Sequence, residues 1–113
     1  VIDVERRLYS EKWKIAGTCD MTARLYNDEI HVLDWKGVTA LSASLKAGHC
    51  AQLTAYRSML EEAGEKIDGC TLVRFSRKTG EVDPVTFRYH EENLAAFEAA
   101  LMLARYQPRA GQF

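Results

Sequence analysis

Two short stretches carry residue types suited to phosphate chemistry: Asp20, and Asp34 with Lys36 two residues on; further along, Gln52 and Tyr56 stand four apart. In a strand, alternation puts Asp34 and Lys36 on one face. In a helix, the spacing of four puts Gln52 and Tyr56 on one face. Two neighbouring carboxylates repel unless a cation lies between them, and carboxylate oxygens are what Mg²⁺ takes, with water and substrate phosphates completing its shell. An ammonium beside such a pair gives a cation site with an adjacent positive charge, a pattern that suits phosphodiester chemistry.

Whether the pair forms depends on strand register. Asn27-Asp28 is turn sequence. If Leu25 faces Glu29 across it, Asp20 lies opposite Asp34, with Cβ atoms about 4.5–5.5 Å apart, and Thr18 lies opposite Lys36. The strand before has its apolar residues at even positions (Ile2, Val4, Leu8), so a Glu11-Lys12 turn sets Glu5 opposite Thr18 and diagonal to Asp20. Glu5, Asp20, Asp34 and Lys36 are then expected on one patch, with Trp13, Ile15, Met21 and Leu33 on the other face. Trp13 and Trp35 are expected as core aromatics before base-stacking platforms.

The elements that must position these residues follow from periodicity. Residues 1–10 and 13–26 alternate as strands, and Glu29 to Lys36 is apolar on both faces until Asp34, as expected of an interior strand. Residues 37–48, with two bounding glycines and one charge, suit a surface loop or short helix. The stripe of Leu53, Tyr56, Leu60 and Ala63 predicts a helix from His49 to Ala63 stopped by Gly64. Ile67 to Ser76 is a buried strand, residues 78–81 a turn, and Val85 to Tyr89 an edge strand after Pro84. Glu91 to Arg105 is a second helix, acidic at its start and apolar at Leu94, Phe97 and Leu101. The order predicts an α+β fold: a mixed sheet with a three-stranded antiparallel unit, covered by helices.

Gly17-Thr18-Cys19-Asp20, Asp34-Trp35-Lys36 and Gln52-Leu53-Thr54-Ala55-Tyr56, in this order on strand, strand and helix, resemble the PD-(D/E)XK nuclease superfamily, and within it the RecB-like exonuclease branch. The resemblance covers residues 5–56 by motif and implies a restriction-endonuclease-like core and Mg²⁺- or Mn²⁺-dependent hydrolysis of DNA, in repair, recombination or a phage. It implies that Asp20, Asp34, Lys36, Gln52 and Tyr56 are catalytic, and that Glu5, Asp20, Asp34 and the Trp35 carbonyl hold metal. Cys19 replaces the proline of the superfamily motif. The helix that usually precedes the first strand is expected to be missing from these residues. Arg74, Arg77 and Lys78 cluster where they could follow a phosphate backbone.

At 113 residues, 47% hydrophobic and 27% charged, the chain suits one domain with a core, residues 1–113 as a single nuclease-like unit. Its net charge of −1 does not advertise a nucleic-acid partner, so DNA binding must come from a local site. Cys19, Cys50 and Cys70, without C-x-x-C spacing, exclude a disulfide framework, a zinc ribbon and the four-cysteine iron–sulfur version of this branch, and point to the cytoplasm. No apolar run suits a membrane span. A start at Val1 suits a piece of a larger parent chain, or a subunit of an oligomer. Two other readings compete with the nuclease: a non-catalytic module that keeps the fold and binds nucleic acid or protein, and an unrelated α+β domain whose acidic pair is a structural cation site.

Overall fold

A computed structural model describes residues 1–39, 41, 47–87 and 90–108. The elements run β1 (Asp3–Ser10), β2 (Ile15–Arg24), β3 (Ile30–Val38), α1 (Ala47–Glu62), β4 (Gly69–Ser76), β5 (Val82–Thr86) and α2 (His90–Arg105). One five-stranded sheet has the order β1-β2-β3-β4-β5; β3 and β4 are parallel and the other neighbours antiparallel. The protein is therefore a mixed α+β domain, and no helix among the described residues is long and apolar enough to cross a membrane.

The core lies between the sheet and the helices. Leu53, Met59 and Leu60 of α1 bury against Leu8, Cys19, Val32 and Leu72, and the Trp13 ring packs at a tilt of 57° against Phe97 of α2, with centroids 4.9 Å apart. Gly64, at φ +92, ends α1, and the Glu65 N–H bonds back to the Leu60 carbonyl, as a left-handed residue after a helix allows. The far end of α1 is tied to the first hairpin by Glu62, whose carboxylate accepts from the Ser10 hydroxyl and the Glu11 N–H, each at 2.8 Å.

The β2–β3 hairpin has the expected register. Met21 pairs with Leu33 and Thr22 with Val32, closed by a three-residue loop with Asp28 in the left-handed region. The β1–β2 register differs from expectation by two residues. The connection is a four-residue turn, 11–14, with Lys14 at φ +56, so Arg7 rather than Glu5 lies opposite Thr18 and Trp13 belongs to the turn.

The expected division of faces is also corrected. Ile15 and Cys19 join the helix-side core, whereas Met21 and Ala23, of the same parity, join a separate cluster with Leu33 and Val73 on the other face. Strict alternation therefore breaks between Cys19 and Met21, across from Glu5, whose φ of +50 is left-handed. Trp13 and Ile15 consequently sit on the face of Val32, Asp34 and Lys36, not opposite it. Trp35 points the other way and is 46% exposed, so it is not a core aromatic.

The last strand starts earlier than expected and contains Pro84, which pairs with Val73 on an edge strand, where its missing donor is tolerated. Arg88 and Tyr89, expected in that strand, lie outside the described residues, as do residues 40 and 42–46 of the expected loop. Gly37 and Val38 of that loop extend β3 instead.

Candidate metal and phosphate site

The carboxylates of Asp20 and Asp34 lie within hydrogen-bonding reach of each other on the helix face of the sheet. The β2–β3 register brings them level, and the break in alternation at Asp20 lets its carboxylate reach β3, where the Trp35 N–H donates to its Oδ2 at 3.1 Å. The resemblance implies a metal-ligand role for the Trp35 carbonyl; the hydrogen bond to Asp20 is made by the amide of the same residue. Lys36 Nζ stands 3.2 Å from Asp34 Oδ2, two residues along the same face.

The electrostatics of the pair are asymmetric. Burial, reinforced by Asp20, pushes the Asp34 carboxyl up to about 6, against the pull of Lys36. Asp20 is held below its ordinary value, chiefly by its hydrogen bond to Asp34 and then by the Trp35 amide and Lys36. One proton is thus shared between two acids until nearly neutral pH, as like charges at contact distance require.

The helix α1 supplies the remaining side. Tyr56 lies over β2, and the Gln52 side-chain amide donates to its hydroxyl at 3.0 Å, as the spacing of four predicts. Burial, then the negative charge of Asp34, raises the Tyr56 phenol above its ordinary value, so at neutral pH it is a hydrogen-bond donor. The ring has room because residue 17 is glycine: a Cβ there would stand 2.9 Å from Tyr56 Cε1. Gly17→Val is accordingly expected to destabilise the fold by about 1–3 kcal/mol through overpacking, and to cost much less in a Tyr56→Ala background. Equal melting losses in the two backgrounds would disconnect Gly17 from Tyr56.

Glu5 does not join the pair. It faces Asp20 across the β1–β2 ladder, between Val4↔Met21 and Arg6↔Cys19, and it is exposed. Among the described residues no group of three or more His, Cys, Asp or Glu side chains is placed to hold one metal ion, so the expected convergence of three carboxylates is corrected to two. At Glu5 the backbone is left-handed, with φ +50, and the side chain is exposed to solvent.

Of the basic strip, Arg74 is buried and committed to Asp83, at 2.9 Å, and to the Leu41 carbonyl, at 3.0 Å; it braces β4 against β5 rather than facing solvent. Arg77 and Lys78 are exposed beyond the end of β4. The buried His31 is satisfied by Thr71 and Glu29, as a core histidine is. Sequence reasoning missed the roles of the Trp35 amide and of the Asp83 partner. Asp83 could have been found from its charge on a strand next to Arg74; nothing in the sequence signalled the amide.

No protein-family model matches the chain, and no curated protein matches it. Among solved structures, the chain is similar to the crystal structure of SSO0001, with a TM-score of 0.56 and 16% identity over 94% of this chain. The match covers 52% of that protein, so this chain spans about half its length. At that identity the likeness shows a shared fold.

Proposed function

We propose that this domain is a metal-dependent nuclease, of exonuclease type, that hydrolyses DNA phosphodiester bonds with Asp20, Asp34, Lys36, Tyr56 and Gln52. The observation that carries the reading is the carboxylate pair on a buried stretch of sheet with an ammonium 3.2 Å from one member. Such a pair is unfavourable without a cation, and two carboxylate donors fit a hard divalent ion that takes its other ligands from water and phosphate. The order of the three motifs supports the same reading.

Asp20 and Asp34 would hold Mg²⁺ or Mn²⁺. When bound, such an ion supplies Lewis-acid stabilisation of the phosphoryl oxygens and lowers the pKa of coordinated water. The chain's own groups account for the rest. Lys36 offers its ammonium to a non-bridging oxygen, where negative charge builds as water attacks phosphorus and the P–O bond to the leaving group breaks. Tyr56, keeping its proton, donates a hydrogen bond to a phosphate oxygen. Gln52 positions that hydroxyl.

Incubation with linear single- and double-stranded DNA in Mg²⁺, in Mn²⁺ and in chelator tests the reading. Metal-dependent shortening that is lost in Asp20→Asn and is absent on circular DNA is the expected result. DNA retained in chelator but cut with neither ion would instead leave a binding module. Failure of both binding and cleavage would remove the nucleic-acid reading.

A further inference from the structure

Both helices lie on one face of the sheet, and the opposite face carries Val4, Met21, Leu33, Trp35, Val73 and Phe75. Most of this surface is plain apolar strand. At the end of β3 and β4, however, it changes character. Trp35 is 46% exposed and Phe75 36% exposed, and between them Gly37 presents bare backbone. A Cβ at Gly37 would stand 2.6 Å from Arg77 Nε and 3.1 Å from Phe75 Cζ, so the guanidinium and the ring both lie on that backbone. An indole, a phenyl ring and a guanidinium thus share one small patch, with Lys78 next in the chain.

This is the end of β3 that carries Asp34 and Lys36, which project to the other face. A strand of nucleic acid passing over the end of the sheet can therefore engage both. The chemistry of the patch selects the occupant: aromatic faces take unpaired bases, and Arg77 and Lys78 take the phosphates between them. The bases of a duplex are not available to a flat platform.

We propose that Trp35, Phe75 and Arg77 form a stacking platform for unpaired nucleotides, so that the substrate of this domain is nucleic acid with a single-stranded end. The inference rests on the nuclease reading for its direction, but it has a separate readout. The platform binds without metal, whereas cleavage does not proceed without it.

The test uses the whole chain and a ten-to-fifteen-nucleotide oligothymidylate in chelator, followed by tryptophan emission and by anisotropy of a labelled oligonucleotide. Trp13 is buried and Trp35 exposed, so quenching on binding reports Trp35. Trp35→Ala is expected to weaken binding about tenfold or more, and Trp35→Phe to abolish the quench while keeping part of the affinity. Arg77→Ala is expected to reduce the salt dependence by about one counterion. Lys66→Ala, which removes an exposed cation at the opposite end of β4, should bind as the parent does. Parent-like affinity in both Trp35→Ala and Arg77→Ala would overturn the platform even if the protein cleaves DNA. So would Trp35 shielded from acrylamide in a self-associated protein, since a second copy would then cover the face. Conversely, Trp35-dependent binding by a protein that cleaves nothing would support the platform and reject the nuclease reading.

Discussion

Lys36→Ala is expected to lower metal-dependent DNA cleavage by about two to three orders of magnitude, the loss typical when one donor to developing transition-state charge is removed. The fold should tolerate the change. The Lys36 side chain is about one-third exposed and its ion pair is with Asp34, not with a core group, and partly exposed pairs contribute little to stability. Metal binding should weaken only modestly. Removing the ammonium takes away one influence that holds the Asp34 proton affinity down, so the cation competes with a somewhat tighter proton. The informative comparison is therefore cleavage against Mn²⁺ affinity and melting temperature in the same preparations. If Lys36→Ala cut DNA at the parent rate, the ammonium would be a bystander; if the variant lost cleavage and Mn²⁺ binding together, Lys36 would serve the metal site and not the phosphate.

The spacing of Asp20, Asp34 and Lys36 was legible because the connection that sets their register is short. Three residues with a left-handed Asp28 allow one pairing of β2 with β3, and the helix behind them announced itself by its apolar stripe. The first strand was less legible for a definite reason. Nothing in Glu11-Lys12-Trp13-Lys14 shows that Lys14 adopts a positive φ, and that residue conformation lengthens the turn and moves Glu5 by two places. The break in alternation at Asp20 is equally hidden. A glutamate with φ +50 carries no local signature, yet it decides that Cys19 faces the helices and Met21 does not. An aromatic on an apolar strand predicts burial for Trp35; its exposure follows from which face the helices cover, a tertiary fact that periodicity does not contain. Arg74 fails in the opposite direction. A basic residue near a turn is ordinarily solvated, and here Asp83 across the β4–β5 ladder draws it into the sheet.

Asp34→Asn is expected to do two opposite things: to abolish the stabilisation that Mn²⁺ confers, and to raise the melting temperature in chelator at neutral pH. The sign follows from the raised carboxyl. In the folded protein Asp34 keeps its proton to about pH 6, whereas the unfolded chain releases it near the ordinary carboxyl value of 3.8. Between those values the native state binds more protons, so stability falls as pH rises through the window and the full penalty is present at pH 7. A displacement of about two pH units corresponds to roughly 3 kcal/mol, of which the changed contact with Lys36 returns a part. A net gain of about 1–2 kcal/mol, or on the order of 5–10 °C for a domain of this size, is the expected difference in chelator. Asp20 does not cancel it: its lowered value places its own loss of stability below pH 3.8, outside the window. The difference between variant and parent should therefore vanish near pH 4, where parent Asp34 is neutral like asparagine. Addition of Mn²⁺ at pH 7 should reverse the order, because an ion at one hundred times its dissociation constant stabilises only the parent, by about 2.7 kcal/mol. The same proton must leave before a cation enters, so the parent's Mn²⁺ affinity should fall nearly tenfold per pH unit below 6 and level off above it. A chelator melting difference that persists unchanged at pH 4 would mean that Asp34 is not the carboxyl holding the shared proton, and the pair would lose its claim to a divalent ion.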